Sequence, residues 1–436
     1  MITAKAFADH HYAVLGLARS GLATVEALLA SGARVTAWDD REEARAQVPA
    51  AVQIEDFVGG NLSRFDSIVV TPGLPLNRHP IAAAAKAAGV EIIGDIELFS
   101  RARPELPPHK VVGITGTNGK STTTALVHHI LKTAGVPTTM GGNIGLPILS
   151  QDPLPEGGVY VLELSSYQID LTKSLDCDVA VLLNITPDHL DRYESFEAYA
   201  ASKARLFEMS RKGVLITTEP DYEIGMLQGL QSQIRQTLGA VVAEAAPYFR
   251  PLELSIRQSG WPSLQGPHNL QNAINAYLVC DDLLLDDEQI EEGLRTYPGL
   301  PHRMERIRDR DGVLFVNDSK ATNAEAAAPA LAAYPRVRWI VGGQAKAETL
   351  GDTATHIGHV VAAYTIGEAG PMFARLLREA GAQVIECETL ENAVNRAAKD
   401  SQAGETVLLS PASASFDQFK DFEARGDRFR ELVEGL

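Results

Sequence analysis

Val111-Val112-Gly113-Ile114-Thr115-Gly116-Thr117-Asn118-Gly119-Lys120-Ser121-Thr122 is the stretch on which the reading of this chain turns. A β-branched apolar run, the pattern of a buried strand, breaks into a glycine-rich turn. Lys-Ser-Thr then opens an amphipathic segment over 125–134. Glycines let the backbone bend so that successive N–H groups face one anion, and the new helix adds its positive end. In such a loop Lys120 reaches the β- and γ-phosphates, and the Ser121 hydroxyl suits a Mg²⁺ ion. The strict G-x-x-x-x-G-K-[ST] pattern fails by one residue, because Ile114 stands where the first glycine belongs. The plain alternative is an ordinary strand–turn–helix with a surface lysine. Strand, glycines, Lys-Ser and helix falling in order favour a nucleoside triphosphate site.

Around this loop lie 436 residues, enough for about three domains at roughly 150 residues each. An apolar fraction of 45% is ample for several cores. The net charge of −17 argues against a general nucleic-acid binder or a protein drawn to anionic membranes, so an anionic substrate needs local basic groups. Cys177, Cys280 and Cys387 are far apart and suggest neither a disulfide framework nor a zinc site. The N-terminus lacks a basic region followed by an apolar stretch, and no run approaches about 18 apolar residues. A soluble, cytoplasmic protein is expected.

The pattern divides into three units, 1–95, 96–298 and 299–436. In the first, strand-like 12–15, the turn 16–21, a helix over 22–30 and a strand at 34–38 closed by Asp39-Asp40 form a βαβ opening of dinucleotide-binding type. An acidic residue follows the first glycine by about 20 positions, as that motif requires. Gly16-Leu17-Ala18-Arg19-Ser20-Gly21 nevertheless lacks the middle glycine, so a pure packing turn remains the other reading. Ser67-Ile68-Val69-Val70 ends in Thr71-Pro72-Gly73, a loop where open α/β sheets bind ligands. Proline-rich 103–108 reads as a linker. In the middle unit the apolar runs 159–164 and 179–183 predict strands covered on both faces, whereas 210–263 is poorly patterned. In the third, strands at 313–317, 338–341, 360–366 and 406–409 alternate with helices at 326–333, 372–380 and 390–398. The expected class is α/β with three domains, each a mostly parallel sheet flanked by helices: Rossmann-like, P-loop-type ATPase, and Rossmann-like again.

Several polar residues fall at strand ends. Glu163 lies inside an apolar strand, where an unpaired carboxylate is costly unless a metal, or a structural Arg or Lys, meets it. Asn184-Ile185-Thr186-Pro187-Asp188-His189-Leu190-Asp191 follows another strand, and His189 is either a ligand or an ordinary loop histidine. Lys203 looks like a solvated helix lysine. Asn269 and Asn272 sit three apart on one helix face and either read an adenine or cap the helix. Asp318 and Ser319 suit a helix cap, but Lys320 beside them suggests an anion.

Together these segments resemble the Mur ligase family of bacterial cell-wall synthesis, over essentially the whole chain. Gly116-Thr117-Asn118-Gly119-Lys120-Ser121-Thr122 has that family's own loop form. Gly141-Gly142-Asn143-Ile144-Gly145, Glu163-Leu164-Ser165-Ser166, Asn184 to His189, His268-Asn269-Leu270-Gln271-Asn272, Pro301-His302-Arg303 and Asn317-Asp318-Ser319-Lys320-Ala321-Thr322-Asn323 follow in family order. Leu409 to Phe419 and Phe422-Glu423-Ala424-Arg425-Gly426 resemble the D-glutamate-adding member, and the Asp-Asn-Pro-Arg signature of the diaminopimelate- or lysine-adding member is absent. Ser413 departs from the Cys common in that motif.

The resemblance implies an ATP-dependent amide ligase that adds D-glutamate to UDP-N-acetylmuramoyl-L-alanine through an acyl phosphate. It implies ATP and two Mg²⁺ ions as cofactors, with Ser121 and Glu163 on one ion, and His189 with a carbamylated Lys203 on the other. Lys120, His189 and Lys203 become the catalytic set. Residues 116–122 with Asn272, Arg303 and Asp318 become the ATP site. Leu15, Arg19, Ser20, Asp39, Asp40, Arg41, Thr71, Pro72 and Gly73 map to the UDP part, and Asn143 to the muramoyl region. Thr322, Lys346, Ser415 and Phe422 map to the glutamate pocket, and Lys320 joins the substrate-binding residues. The expected partners are these two substrates, with no nucleic acid or membrane, and the chain is expected to act as a monomer. D- and L-glutamate would use the same lysine and hydroxyls, so the sequence leaves that choice open. A folylpolyglutamate synthase-like ligase shares the central unit but lacks a UDP-binding first domain. A nicotinamide oxidoreductase leaves the Lys120 loop and Glu163 unexplained, and the intact set Lys120, Glu163, His189 and Lys203 argues against a non-catalytic nucleotide-binding regulator.

Overall fold

Each apolar run identified above forms a strand in the computed structural model, which describes residues 1–186, 192–211, 213–215, 254–345 and 347–436. The first sheet contains β1 (His11–Leu15), β2 (Arg34–Trp38), β3 (Gln53–Ile54), β4 (Ser67–Val70) and β5 (Glu91–Ile93), all parallel, in the order β3-β2-β1-β4-β5. The second contains β6 (His109–Thr115), β7 (Thr138–Gly142), β8 (Gly158–Glu163), β9 (Val179–Leu182) and β10 (Gly213–Leu215), also parallel, in the order β10-β9-β6-β8-β7. In both, the motif-bearing strand is central and its carboxyl end lies where the strand order reverses. That position is the usual ligand crevice of open α/β sheets.

The third sheet has six strands, β11 (Glu305–Arg310), β12 (Val313–Asn317), β13 (Val337–Gly342), β14 (Val360–Ile366), β15 (Val384–Glu388) and β16 (Thr406–Leu409), in the order β11-β12-β16-β13-β14-β15. Only β11 is antiparallel. Sequence patterning missed β11 because Glu-Arg-Ile-Arg-Asp-Arg is charged at every position but Ile307, the composition of an edge strand protected from further pairing. It also missed β15 and the final helix Phe422–Glu434.

Met1–Leu252 with Ile274–Gly293 forms one compact unit, and Glu253–Ala273 with Leu294–Leu436 a second. The first two sheets therefore share a unit. One buried apolar cluster contains Val14, Val69 and Ile93 of the first sheet and Tyr160, Leu162 and Leu182 of the second. The segment 103–108, expected to be a linker, is held tightly. Arg103 donates to the carbonyls of Leu175 and Asp176, and the Glu105 carboxylate accepts from the N–H groups of Lys5 and Ala6 at 2.8 and 2.9 Å.

Candidate active site

The phosphate loop is built as its sequence requires. β6 ends at Thr115, Gly116 has φ +150°, Gly119 has φ +82°, and helix Lys120–Thr133 begins with no acidic residue in its first turn. A Cβ at Gly116 would press on Leu183 and the Asn184 backbone, so the loop packs directly on the segment after β9. That segment supports it. The Thr117 N–H donates to the Asn184 carbonyl at 2.9 Å, and the Asn118 N–H donates to Asn184 Oδ1 at 2.8 Å. Lys120 Nζ donates to the carbonyls of Gly116 (2.9 Å) and Thr117 (2.7 Å).

Glu163 ends β8, paired in register with Ile114 on one side and Gly142 on the other. It is 1% exposed. Asn143 donates to Glu163 Oε1 at 2.9 Å, and the Asn143 N–H donates to the Glu163 carbonyl at 2.9 Å. Among the described residues no donor reaches Oε2. No structural Arg or Lys accounts for this carboxylate, so the ion-pair alternative fails for the described residues, and Asn143, expected at the muramoyl region, sits on Glu163 itself.

Lys203 corrects its sequence reading, since it is 2% exposed rather than solvated. Helix Phe196–Glu208 carries Tyr199 and Lys203 one turn apart, and both face the loop. Lys203 Nζ donates to the Gly116 carbonyl at 2.9 Å and lies 4.7 Å from the centre of the Tyr199 ring, while the Tyr199 hydroxyl meets Thr117 Oγ1 at 3.1 Å. His189 and Lys346 lie outside the described residues, as do Asp188 and Asp191.

In the first sheet Gly16 has φ +93°, and a Cβ there would strike the Thr71 hydroxyl, so the turn after β1 packs against the loop after β4. Asp39, at the end of β2, accepts from the Leu17 N–H (2.8 Å), the Arg41 N–H (3.0 Å) and the Arg41 guanidinium (3.1 and 3.2 Å). Burial pushes this carboxyl up, but Arg41 and the two N–H donors outweigh it and hold it at about 2. Asp39 thus organises the turn. Asp40 is exposed and engages Arg45 through its carbonyl. A cleft of about 300 Å³ is lined by Leu17, Arg19, Leu22, Arg41 and Gln47. Arg19 also donates to the Gly145 carbonyl at 3.3 Å, and Ser20 faces a small cavity with Thr24, Thr71 and Asp95.

Within the second unit, Asn272 donates to Asn269 at 3.3 Å and Asn269 to the Gln265 carbonyl at 3.1 Å, so the two amides share one face as their spacing predicts. Arg303 lies between His302 and Met304, both with positive φ (59° and 51°), and its Nε meets no acceptor among the described residues. Burial and the Arg303 charge drive the His268 imidazole down to about 4. Asp318 caps no helix. Asn323 caps helix Ala324–Ala332, while Asp318 accepts from Ser410 Oγ (2.7 Å) and the Met304 N–H (3.2 Å). Burial lifts Asp318 to about 7, against the pull of Ser410, Arg303 and Met304.

Lys320 Nζ lies 5.5 Å from the centre of the Phe422 ring, and Ser319 Oγ donates to the Phe422 carbonyl at 2.8 Å. Ser415 is buried and Thr322 half-buried, and no described side-chain bond joins either to this group. Arg425 was not assigned a role from sequence. It is 1% exposed and donates to Ser319 Oγ, Ser319 O, Ser413 O and Ala414 O at 2.9–3.3 Å, tying the segment after β12 to the segment after β16.

These features define a three-domain α/β protein with a glycine-rich strand–turn–helix loop at the centre of its middle sheet. Family profiles match residues 10–94 (Mur ligase MurD-like, N-terminal domain), 114–246 (Mur ligase middle domain) and 302–413 (Mur ligase, glutamate ligase domain). The chain is 57% identical to a UDP-N-acetylmuramoylalanine--D-glutamate ligase of Novosphingobium aromaticivorans, covering 100% of this chain and 97% of that one. In fold it is similar to UDP-N-acetylmuramate-alanine ligase MurC of Thermotoga maritima, with TM-score 0.57, 17% identity, and 98% and 99% of the two chains covered. It is also similar to a bifunctional folylpolyglutamate synthase/dihydrofolate synthase of Yersinia pestis, with TM-score 0.53, 20% identity, and 78% and 93% covered. The chain belongs to the Mur ligase family, and it is an ATP-dependent ligase.

Proposed function

We propose that this protein adds D-glutamate to UDP-N-acetylmuramoyl-L-alanine, consuming ATP and forming ADP, phosphate and the dipeptide-bearing nucleotide. The observation that carries the reading is one sheet edge holding both the 116–122 loop with Lys120 and a buried carboxylate, Glu163, whose Oε2 lacks a donor among the described residues. The relative named for this activity, 57% identical over the whole chain, supports the choice of substrates.

On this reading the substrate carboxylate attacks the γ-phosphorus, ADP leaves, and the amine of D-glutamate then displaces phosphate from the acyl phosphate. The protein's work is positioning and charge neutralisation. Lys120 exchanges two neutral carbonyls for anionic phosphate oxygens, which gives a stronger hydrogen bond. The loop N–H groups of 116–122 and the start of helix Lys120–Thr133 face the same anion. Ser121 and Glu163 suit a hard cation, because the unmatched carboxylate oxygen is costly until one meets it. Mg²⁺ held there would neutralise phosphate charge. Carbamylated Lys203, with His189, would hold a second Mg²⁺ through an oxygen donor in place of the ammonium. Incorporation of isotopically labelled bicarbonate at Lys203, followed by NMR, tests that modification.

Asn272, Arg303 and Asp318 take the adenosine side. Lys320, Thr322, Lys346, Ser415 and Phe422 take glutamate. Leu15, Arg19, Ser20, Asp39, Asp40, Arg41, Thr71, Pro72 and Gly73 take the UDP part, and Asn143 serves the muramoyl side through its hold on Glu163. Domain limits at 1–95, 96–298 and 299–436, a monomeric state and a cytoplasmic location belong to the same proposal. No described helix is long and apolar enough to cross a membrane. The test is phosphate release with Mg-ATP and UDP-N-acetylmuramoyl-L-alanine, adding D-glutamate, L-glutamate or neither. Turnover with D-glutamate alone is expected. Turnover with L-glutamate would move the enzyme to another step, and no turnover with either would overturn the substrate assignment.

A further inference from the structure

We infer that Arg192 is a positioning residue that sets the 72–74 loop of the first sheet for the nucleotide-sugar, an inference resting on the reading that this loop receives the UDP part of the substrate. Its guanidinium donates to three consecutive main-chain carbonyls, Pro72 (3.3 Å), Gly73 (3.3 Å) and Leu74 (2.9 Å). Three carbonyls turned to one point concentrate partial negative charge, and a planar cation with a fixed fork of donors answers all of them at once. The opposite face of the requirement is met by Tyr167, whose ring centre lies 4.1 Å from the guanidinium carbon.

Tyr167 stands on the short helix Ser166–Asp170, which begins three residues after Glu163. Its ring stacks on Tyr193 at 6.0 Å and 14°. The Tyr193 hydroxyl donates to Asp170 Oδ2 at 2.8 Å, and Ser202 Oγ donates to Asp170 Oδ1 at 2.8 Å. Ser202 precedes Lys203 on the helix whose Tyr199 meets the phosphate loop. A continuous set of contacts therefore runs from Thr117 through Tyr199, Tyr193 (ring centres 5.4 Å apart) and Tyr167 to Arg192 and the 72–74 carbonyls, with Asp170 and Ser202 bracing Tyr193. Thr71, the residue before them, is the one on which Gly16 packs. A shift of this loop would be felt directly at the 15–21 turn, while the phosphate loop keeps its own support from Asn184.

The test compares Arg192→Ala, Arg192→Lys and Tyr167→Leu with the wild-type full chain. Arg192→Ala should raise the KM for UDP-N-acetylmuramoyl-L-alanine about tenfold, the scale of charge-assisted hydrogen bonds lost. The KM for Mg-ATP and kcat should stay within about twofold, the split expected when uniform binding alone is removed. Arg192→Lys should recover little, because a point charge cannot serve three carbonyls in a fixed fork. Tyr167→Leu should shift the same KM in the same direction by less. Equal binding of the nucleotide-sugar by wild type and all three variants, read by calorimetry, would overturn the inference. So would a uniform loss in every kinetic constant together with a lowered melting temperature, which would mark a merely structural residue. Failure of the wild type itself to bind the nucleotide-sugar would overturn the substrate reading and this inference with it.

Discussion

The turn after β1 and the loop after β6 are nearly the same object. Each follows the central strand of a five-stranded parallel sheet, begins at a glycine with positive φ, and opens a helix with no acid in its first turn. They differ in what reaches under them from the end of the adjacent strand. Under the first it is Asp39, a carboxylate held ionised and shared between the Leu17 N–H and Arg41. Under the second it is Asn184, a neutral amide. An ionised carboxylate beneath a helix N-terminus opposes part of the field that would draw a phosphate, with Arg41 beside it restoring a positive group, whereas a neutral amide leaves the field to Lys120 and the loop. Backbone shape alone does not decide which ligand a glycine turn takes. The neighbouring strand's last polar residue sets a different charge beneath each turn.

The sharpest break of this comparison is Lys120→Ala. Turnover should fall about 10³-fold, the scale for losing one preorganised donor to developing charge, while calorimetric binding of the nucleotide-sugar to the first sheet is unchanged. Glu163→Gln should lower turnover by about 10²-fold at saturating Mg²⁺. Its urea midpoint should not fall and should correspond to a gain of about 1 kcal/mol, because an unmatched buried charge is removed. Both effects in one variant separate a functional carboxylate from a structural one.

Asn184→Asp makes the second loop imitate the first. The KM for Mg-ATP should rise about tenfold, with the nucleotide-sugar KM unmoved. Asp39→Asn is the reverse exchange and gives the smallest effect. The folded Asp39 carboxyl sits at about 2 against an ordinary 3.8, so its stabilisation is complete above 3.8 and is lost as pH falls toward 2. That slope should amount to about 1–2 kcal/mol after discounting for the exposed Arg41 side chain, and Asp39→Asn should abolish it in urea titrations across this range.

Much of this was legible in the chain because it is local. Residues 111–122 spell strand, turn and helix consecutively, and the apolar runs mark buried parallel strands without help from distant residues. Lys203 was misread although a signal existed. Tyr199, Lys203, Leu206 and Phe207 fall on one face of the helix, which puts the lysine inside an apolar stripe rather than opposite it. Arg425, Asn184 and Arg192 left no such trace. Their partners Ser319, Asn118 and Pro72 lie 106, 66 and 120 positions away, and only the packing of the sheets brings these pairs together. Asp318 shows the converse failure, since a helix-cap spelling was overridden by Ser410 and the Met304 backbone.

Arg192 recognises the 72–74 loop wholly through main-chain oxygens. Such a grip cannot tell one side chain from another. Replacing Leu74 by another residue that keeps the turn leaves all three acceptors where they are. Inserting or deleting a single residue displaces them together. The loop should accordingly tolerate drift in its spelling and none in its length, so relatives that keep an arginine here can be aligned across this loop by counting residues rather than by matching them.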